Sequence, residues 1–338
     1  MNNRIDGEEK RKMNSRRAYE KRIYRKRRLL AGGGLVITLL FFGLGMRYVF
    51  FGDNGHKEMI TKDADVKQEN DEMSLVPNFQ RGRDQTLKLP FTRPGQIKMN
   101  MLKPGTNHSI SASEYAYDTK DVKDWIKGRV PYAGEKIAFL TFDDGPVENT
   151  YKVMDILKRR GVPGTFFIPG KTLEDHKNKE VLHRYIEEGH GIAVHSYSHD
   201  YALLYPGKTA DAETIVEEYE RTLGLMRETL GTDFDTKVFR FPGGAGSWKN
   251  IPAAQEALGR LGAYDIDWNS MSGDSEPSSR RPDGPSAMAD YVMETLSDQA
   301  VQDVAVVLMH DFKGITIEYL DKVIDQFIEA GYTFGILE

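Results

Sequence analysis

The chain has 338 residues, no cysteine and a formal net charge of −5. Without cysteine, disulfides and thiolate metal sites are excluded, while 39% hydrophobic residues suffice for a sizeable core. Residues 1–28 carry twelve Lys/Arg against four Asp/Glu, so +8 sits there and −13 on the other 310 residues, and so acidic a body argues against nucleic acid as its partner.

In chain order, the first element is the run 29–51, which has no charged residue from Leu29 to Met46. Its length suits a membrane-crossing helix, and the basic residues before it match the positive-inside rule. A cleaved signal peptide is the competing reading, but the apolar run is long and no small-x-small cleavage site follows it. The expected organisation is a basic cytoplasmic segment (1–28), an uncleaved transmembrane signal anchor (29–51) and an extracytoplasmic stalk (52–110). A folded domain (111–338) follows outside the membrane. The stalk is polar, mixed in charge and poor in periodicity, with scattered prolines.

From about residue 111, β-rich runs alternate with segments of helical period. Strands are expected at 137–142, 165–169, 191–195, 238–241, 263–268, 304–309 and 333–337. Helices are expected at 149–160, 179–188, 212–230, 253–261, 287–298 and 316–329, with Gly161 and Gly189 at C-terminal caps. This alternation implies a mainly parallel α/β domain, and both a barrel and an open doubly wound sheet fit it.

In such domains functional groups gather at the C-terminal ends of strands. Here Asp143-Asp144 ends the first strand, His195-Ser-Tyr-Ser-His199 the third and His310-Asp311 the sixth. Arg240 lies in the fourth, and Asp265 and Asp267 in the fifth. Two imidazoles four residues apart plus one carboxylate make a three-ligand set that leaves a fourth position on zinc open. His56, His108, His176, His183 and His190 read instead as solvated surface.

Thr141-Phe-Asp-Asp-Gly-Pro146, His195-Ser-x-x-His199, the Arg240 segment, Asp267-Trp268 and Leu308-x-His310, in that order, resemble the polysaccharide deacetylases. This is the NodB-homology domain of carbohydrate esterase family four, and the resemblance covers roughly residues 130–338. It implies a distorted (β/α) barrel and a divalent metal, most commonly zinc, that removes acetyl groups from sugar polymers. Carried across, it makes Asp144, His195 and His199 the metal ligands and Asp143 the base that activates zinc-bound water. Arg240 then holds Asp143, Asp267 orients His310, and His310 protonates the leaving amine. Gly243 supplies a backbone donor to the oxyanion, while Trp268 and Leu308 line the acetyl pocket.

One departure stands out. The third motif ordinarily carries an aromatic before its glycine, whereas this chain has Gly243-Gly244-Ala245-Gly246, with Trp248 and Tyr205 as conceivable substitutes for the lost groove wall. Resemblance and expected topology together point to a single-pass membrane enzyme with its catalytic domain outside, acting on peptidoglycan N-acetylglucosamine. An exopolysaccharide, a chitin-like oligomer, O-acetyl esters and an inactive glycan-binding domain are the alternatives. The sequence assigns no oligomeric state.

Overall fold

The computed structural model describes residues 99–338 and two short antiparallel strands, β1 (Gln80–Arg81) and β2 (Gln85–Thr86). The basic segment, the expected anchor at 29–51 and most of the stalk lie outside the described residues. Among the described residues no helix is long and apolar enough to cross a membrane.

The first strand of the main sheet, β4 (Ile137–Asp143), is buried along its whole length, as a strand covered on both faces must be. On one side it runs parallel to β10 (Val304–His310) in full register, from Ile137↔Val304 to Asp143↔His310. On the other it pairs with β5 (Thr165–Ile168) at its C-terminal end and with β11 (Thr333–Phe334) at its start. Beyond β5 follow β6 (Gly191–Val194), β7 (Val238–Phe239) and β8 (Tyr264–Asp265), and β9 (Ser270–Met271) flanks β10. All these pairings are parallel, and β8 and β9 at the two ends do not pair, so the sheet curls into an open barrel.

Strand alternation decides what faces the barrel interior. Ala138, Leu140 and Phe142 of β4 and Ala305, Val307 and Met309 of β10 point outward into the larger core. There they meet the helices α2 (Glu148–Arg160), α3 (His176–Glu187), α5 (Ala212–Leu230), α6 (Ile251–Gly259), α7 (Gly284–Ser297) and α8 (Gly314–Glu329). Ile137, Phe139, Val304 and Val306 instead join Phe167, Ala193, Val238 and Ile266 in a second, interior cluster. Val122 of α1 (Thr119–Ile126) and Leu337 plug that cluster. By the same period of two, Thr141, Asp143, His195, Arg240, Leu308 and His310 face the interior at its C-terminal mouth.

Three boundaries differ from expectation for identifiable reasons. The run 333–337 breaks at Gly335, where a Cβ would lie 3.0 Å from both the Phe139 ring and the Tyr115 carbonyl. Beyond the break, β12 (Ile336–Leu337) leaves the barrel to pair with β3 (Ala116–Tyr117). The expected strand at 263–268 stops at Asp265, and the chain then crosses to β9, a two-residue strand too short to show periodicity. Residues 99–110, at the end of the expected stalk, pack on the domain: the Asn107 amide donates to the carbonyls of Ile192 and Leu337. His108 is accordingly buried against Glu338, and His190 is buried beneath Phe166 and Tyr185, so neither is a surface histidine.

Candidate active site

Asp143 closes β4 on the interior side, and Asp144 follows in a left-handed conformation (φ 77°). That backbone is unfavourable for a residue with a side chain, and strain of this kind persists where surrounding structure enforces it. The loop after β6 behaves similarly, with Ser196 at φ 60° and His199 at φ 50°. The buried Glu218 on α5 holds it, one carboxylate oxygen accepting from the backbone N–H groups of Tyr197 and Ser198 at 3.0 Å each. Thr222, one turn later, donates to the Ser196 carbonyl.

These supports bring His195 Nε2 to 3.6 Å and His199 Nε2 to 3.2 Å from Asp144 Oδ1. One ligand atom from each of the three residues lies within 4.8 Å of the other two. His195 Nδ1 faces the Arg240 carbonyl at 2.8 Å, so Nδ1 carries the proton and Nε2 presents its lone pair to the cluster. Burial, reinforced by His199, pushes the His195 imidazole down to about 3 and keeps it neutral, as a ligand must be. Asp144 Oδ1 is buried with no hydrogen-bond partner among the described residues. An orphaned carboxylate oxygen between two imidazoles is costly alone and fits a divalent cation.

Asp143 stands beside this cluster, its Oδ2 3.7 Å from His195 Nε2. The fully buried Arg240 donates through Nη1 to Asp143 Oδ1 and Thr141 Oγ1, both at 2.8 Å, and through Nε to the Ile266 carbonyl at 3.0 Å. Its guanidinium also lies 3.9 Å above the Phe167 ring centroid. The side chain is therefore held on every side, and Asp143 with it.

Across the cleft, His310 Nε2 is 4.0 Å from Asp144 Oδ2. Its other ring nitrogen pairs with Asp274, not Asp267: Nδ1 donates to Asp274 Oδ1 at 2.8 Å, and the His310 backbone N–H donates to Oδ2 at 2.9 Å. Tyr319 donates to the same oxygen, and Ser275 Oγ lies 3.0 Å from Nδ1. Burial, the largest single influence on His310, disfavours its charge. The hydrogen bond and charge of Asp274, with Asp143 and Asp144 behind them, outweigh burial and raise the imidazole to about 9. The same pairing holds Asp274 below the usual carboxylate range although its own burial works the other way.

Asp267 has a different task, because its Oδ1 accepts from the Ala245 backbone N–H at 3.0 Å and so braces the Gly243–Ser247 turn. Asp265 is a structural partner of Lys123 and Gln255. Gly243 (φ 78°) donates no backbone hydrogen bond among the described residues, so its N–H is available to an incoming oxygen. Trp268 packs over Gly244, where a Cβ would come 2.8 Å from the indole. Leu308, 9% exposed, sits two residues before His310 on the same strand face.

Sequence reasoning therefore located Asp143, Asp144, His195, His199, Arg240 and His310, which the fold brings to one cleft, and it missed Asp274 and Glu218. Asp274 follows the short β9 in Ser272-Gly273-Asp274, which reads as turn chemistry. Glu218 stands among acidic neighbours on α5 and carries only a weak signal, its place on the buried stripe of that helix.

The comparisons agree with this geometry. A family profile described as polysaccharide deacetylase matches residues 131–261. The Bacillus subtilis protein YheN is 30% identical over 208 residues, which is 61% of this chain and 68% of that protein. The Listeria monocytogenes peptidoglycan-N-acetylglucosamine deacetylase PgdA is 31% identical over 254 residues, 74% of this chain and 48% of that one. Among solved structures, a Streptococcus mutans CE4 esterase superposes with a TM-score of 0.68 at 38% identity, covering 72% of this chain and 100% of its own. The chain belongs to the polysaccharide deacetylases, the NodB-type domain of carbohydrate esterase family four.

Proposed function

We propose that the protein is a divalent-metal-dependent N-deacetylase of a cell-surface glycan, with peptidoglycan N-acetylglucosamine as the first substrate to test. The observation that carries this reading is the placement of Asp143–Arg240 and His310–Asp274 on two sides of the Asp144, His195 and His199 cluster. Relatives named as peptidoglycan-N-acetylglucosamine deacetylases in Bacillus cereus and Listeria monocytogenes support the choice of polymer. The apolar run at 29–51 supports a membrane anchor that presents the domain to the wall.

In this mechanism Asp144, His195 and His199 would hold the cation, zinc being the first choice for such a donor set. The chemistry it would supply there is polarisation of the acetyl carbonyl and a more acidic water. Asp143, oriented by Arg240 and not used as a ligand, accepts the proton of the attacking water. The Gly243 N–H donates to the oxygen that becomes negative. His310, kept protonated by Asp274, donates to the departing nitrogen, without which an amine is a poor leaving group. Leu308 and Trp268 would line the pocket for the acetyl methyl.

The test uses the full chain in detergent, loaded with zinc, with Asp143→Asn as control. Acetate and free amine are measured from peptidoglycan, chitooligosaccharides and O-acetylated xylan in parallel. Amine release from peptidoglycan that disappears in the control is the expected result. Release from chitooligosaccharides alone would keep the chemistry and discard the wall polymer, and acetate without amine would make the enzyme an O-esterase.

A further inference from the structure

The space above Gly243 is not empty. A Cβ on that residue would lie 3.2 Å from Trp248 Cζ2 and 3.4 Å from the Tyr201 hydroxyl. Two aromatic side chains, Trp248 from the same turn and Tyr201 from the loop after β6, thus fill the space a residue-243 side chain would enter, beside a backbone N–H with no partner among the described residues.

They form a graded stack. Tyr205, 2% exposed, lies flat against Trp248, with ring centroids 4.0 Å apart and planes 6° from parallel. The Trp248 indole N–H donates to the Pro242 carbonyl at 2.9 Å, which fixes the ring in its plane. Tyr201 rests on Trp248 at 5.2 Å and on the His199 imidazole at 5.3 Å, and it is 46% exposed. Tyr201 opens the short helix α4 (Tyr201–Leu204), whose N-cap Asp200 accepts from the backbone N–H groups of Ala202 and Leu203. Cap, indole and imidazole together settle its orientation, yet its hydroxyl has no hydrogen-bond partner among the described residues.

A large ring at the rim of a polar cleft, fixed from behind and carrying a free hydroxyl, suits a ligand with one apolar face and an edge of hydroxyls. A pyranose is such a ligand. Aromatic side chains with an apolar body and a polar tip supply this kind of contact at small cost in side-chain freedom. We propose that Tyr201, braced by Trp248, is the specificity-determining wall of the groove. Its ring packs against the C–H face of the hexosamine at the cluster, and its hydroxyl hydrogen-bonds a sugar oxygen. This rests on the deacetylase reading above and adds the residue that recognises the sugar.

The test measures kcat and KM on the pentamer of N-acetylglucosamine, and zinc affinity by titration calorimetry, for the full chain and three variants. For Tyr201→Ala, KM rises about tenfold while kcat and zinc affinity stay within about threefold, the scale of one aromatic contact plus one hydrogen bond. Tyr201→Phe keeps the ring and raises KM about threefold. Trp248→Phe, which keeps a ring behind Tyr201, falls between wild type and Tyr201→Ala. An unchanged KM in Tyr201→Ala, with the wild type active, overturns the assignment while leaving the deacetylase intact. A parallel loss of zinc affinity also overturns it, since Tyr201 would then only buttress His199. A wild type that binds zinc but releases no acetate from any acetylated glycan defeats the function itself, and this proposal with it.

Discussion

Replacing Asp274 by Asn tests the site most sharply, because it removes a charge while leaving the cation ligands untouched. Asp274 receives both the ring and the backbone N–H of His310, and with it the imidazole stands near 9, against an ordinary value of 6.5. At pH 8 an imidazole of the higher value is protonated in about nine molecules of ten, and one of the ordinary value in about 3%. Burial then acts without Asp274 to oppose it, so kcat of Asp274→Asn at pH 8 should fall at least about thirtyfold, and the loss should shrink steadily toward pH 6 as the imidazole regains its proton. A bound dication lowers both values together, so the separation between the two alkaline limbs is the measured quantity. The assay is kcat for the pentamer of N-acetylglucosamine from pH 6 to 10, alongside Asp267→Asn, whose alkaline limb should stay at the wild-type position. An equal loss at every pH would mean that Asp274 only positions the ring, and a shifted limb in Asp267→Asn would refute the pairing. Stability carries the same signature. His310 is raised on folding, so the contribution of the pair is fully present below about 6.5 and is lost as pH rises through about 9.

Two further outcomes follow from the supports around the cluster. Arg240→Met leaves the 3%-exposed Asp143 without its cation, which should cost about 3–5 kcal/mol in denaturant unfolding of the metal-free protein. A cost below about 1 kcal/mol would show that the pair is not the buried unit seen here. Glu218→Gln weakens the hold on the backbone of Tyr197 and Ser198 and should lower zinc affinity about tenfold by calorimetry; an unchanged affinity would remove Glu218 from the support of the histidine loop.

The parts of this site that the sequence reveals are those whose position is set inside a regular element. In β4 a period of two runs from Ile137 through Phe139 and Thr141 to Asp143, so burial of the first residues commits the last to the same interior face. The identical pattern in β10 carries Val304 and Val306 to His310. Asp267 failed the same logic because the strand it was assigned to ends at Asp265. The crossing that follows turns its carboxylate to Ala245 instead of His310. Asp274 reaches His310 across 36 residues through a two-residue strand and a glycine turn, and no periodicity encodes such a path. The aromatics above Gly243 were legible in part: the sequence points to Trp248 and Tyr205, which stack, but not to Tyr201, which meets Trp248 only because separate loops converge there.

The two ion pairs of the cleft are built in opposite senses, and in the proposed mechanism that asymmetry lets one barrel mouth hold a base and an acid together. On one side the permanent cation Arg240, sealed inside the barrel and bonded to Thr141 and Ile266, is matched by a carboxylate that faces the cluster. On the other, the carboxylate is the sealed member: Asp274 is bonded to Tyr319 and the His310 backbone, and the titrating imidazole faces the cluster. Exchanging which member is buried converts an acceptor toward substrate into a donor. Each inner partner is anchored to a different part of the sheet, Arg240 to β4 and the chain after β8, Asp274 to β10 and α8. The outer partners are not separate, because Asp143 and His310 sit opposite each other in the β4–β10 register and Asp143 is among the charges that raise the imidazole. Arg240 and Asp274 substitutions should therefore couple on stability by more than about 0.5 kcal/mol in a double-mutant cycle, as neighbouring residues do. A smaller coupling would mean that the two pairs are tuned independently despite their shared strand register.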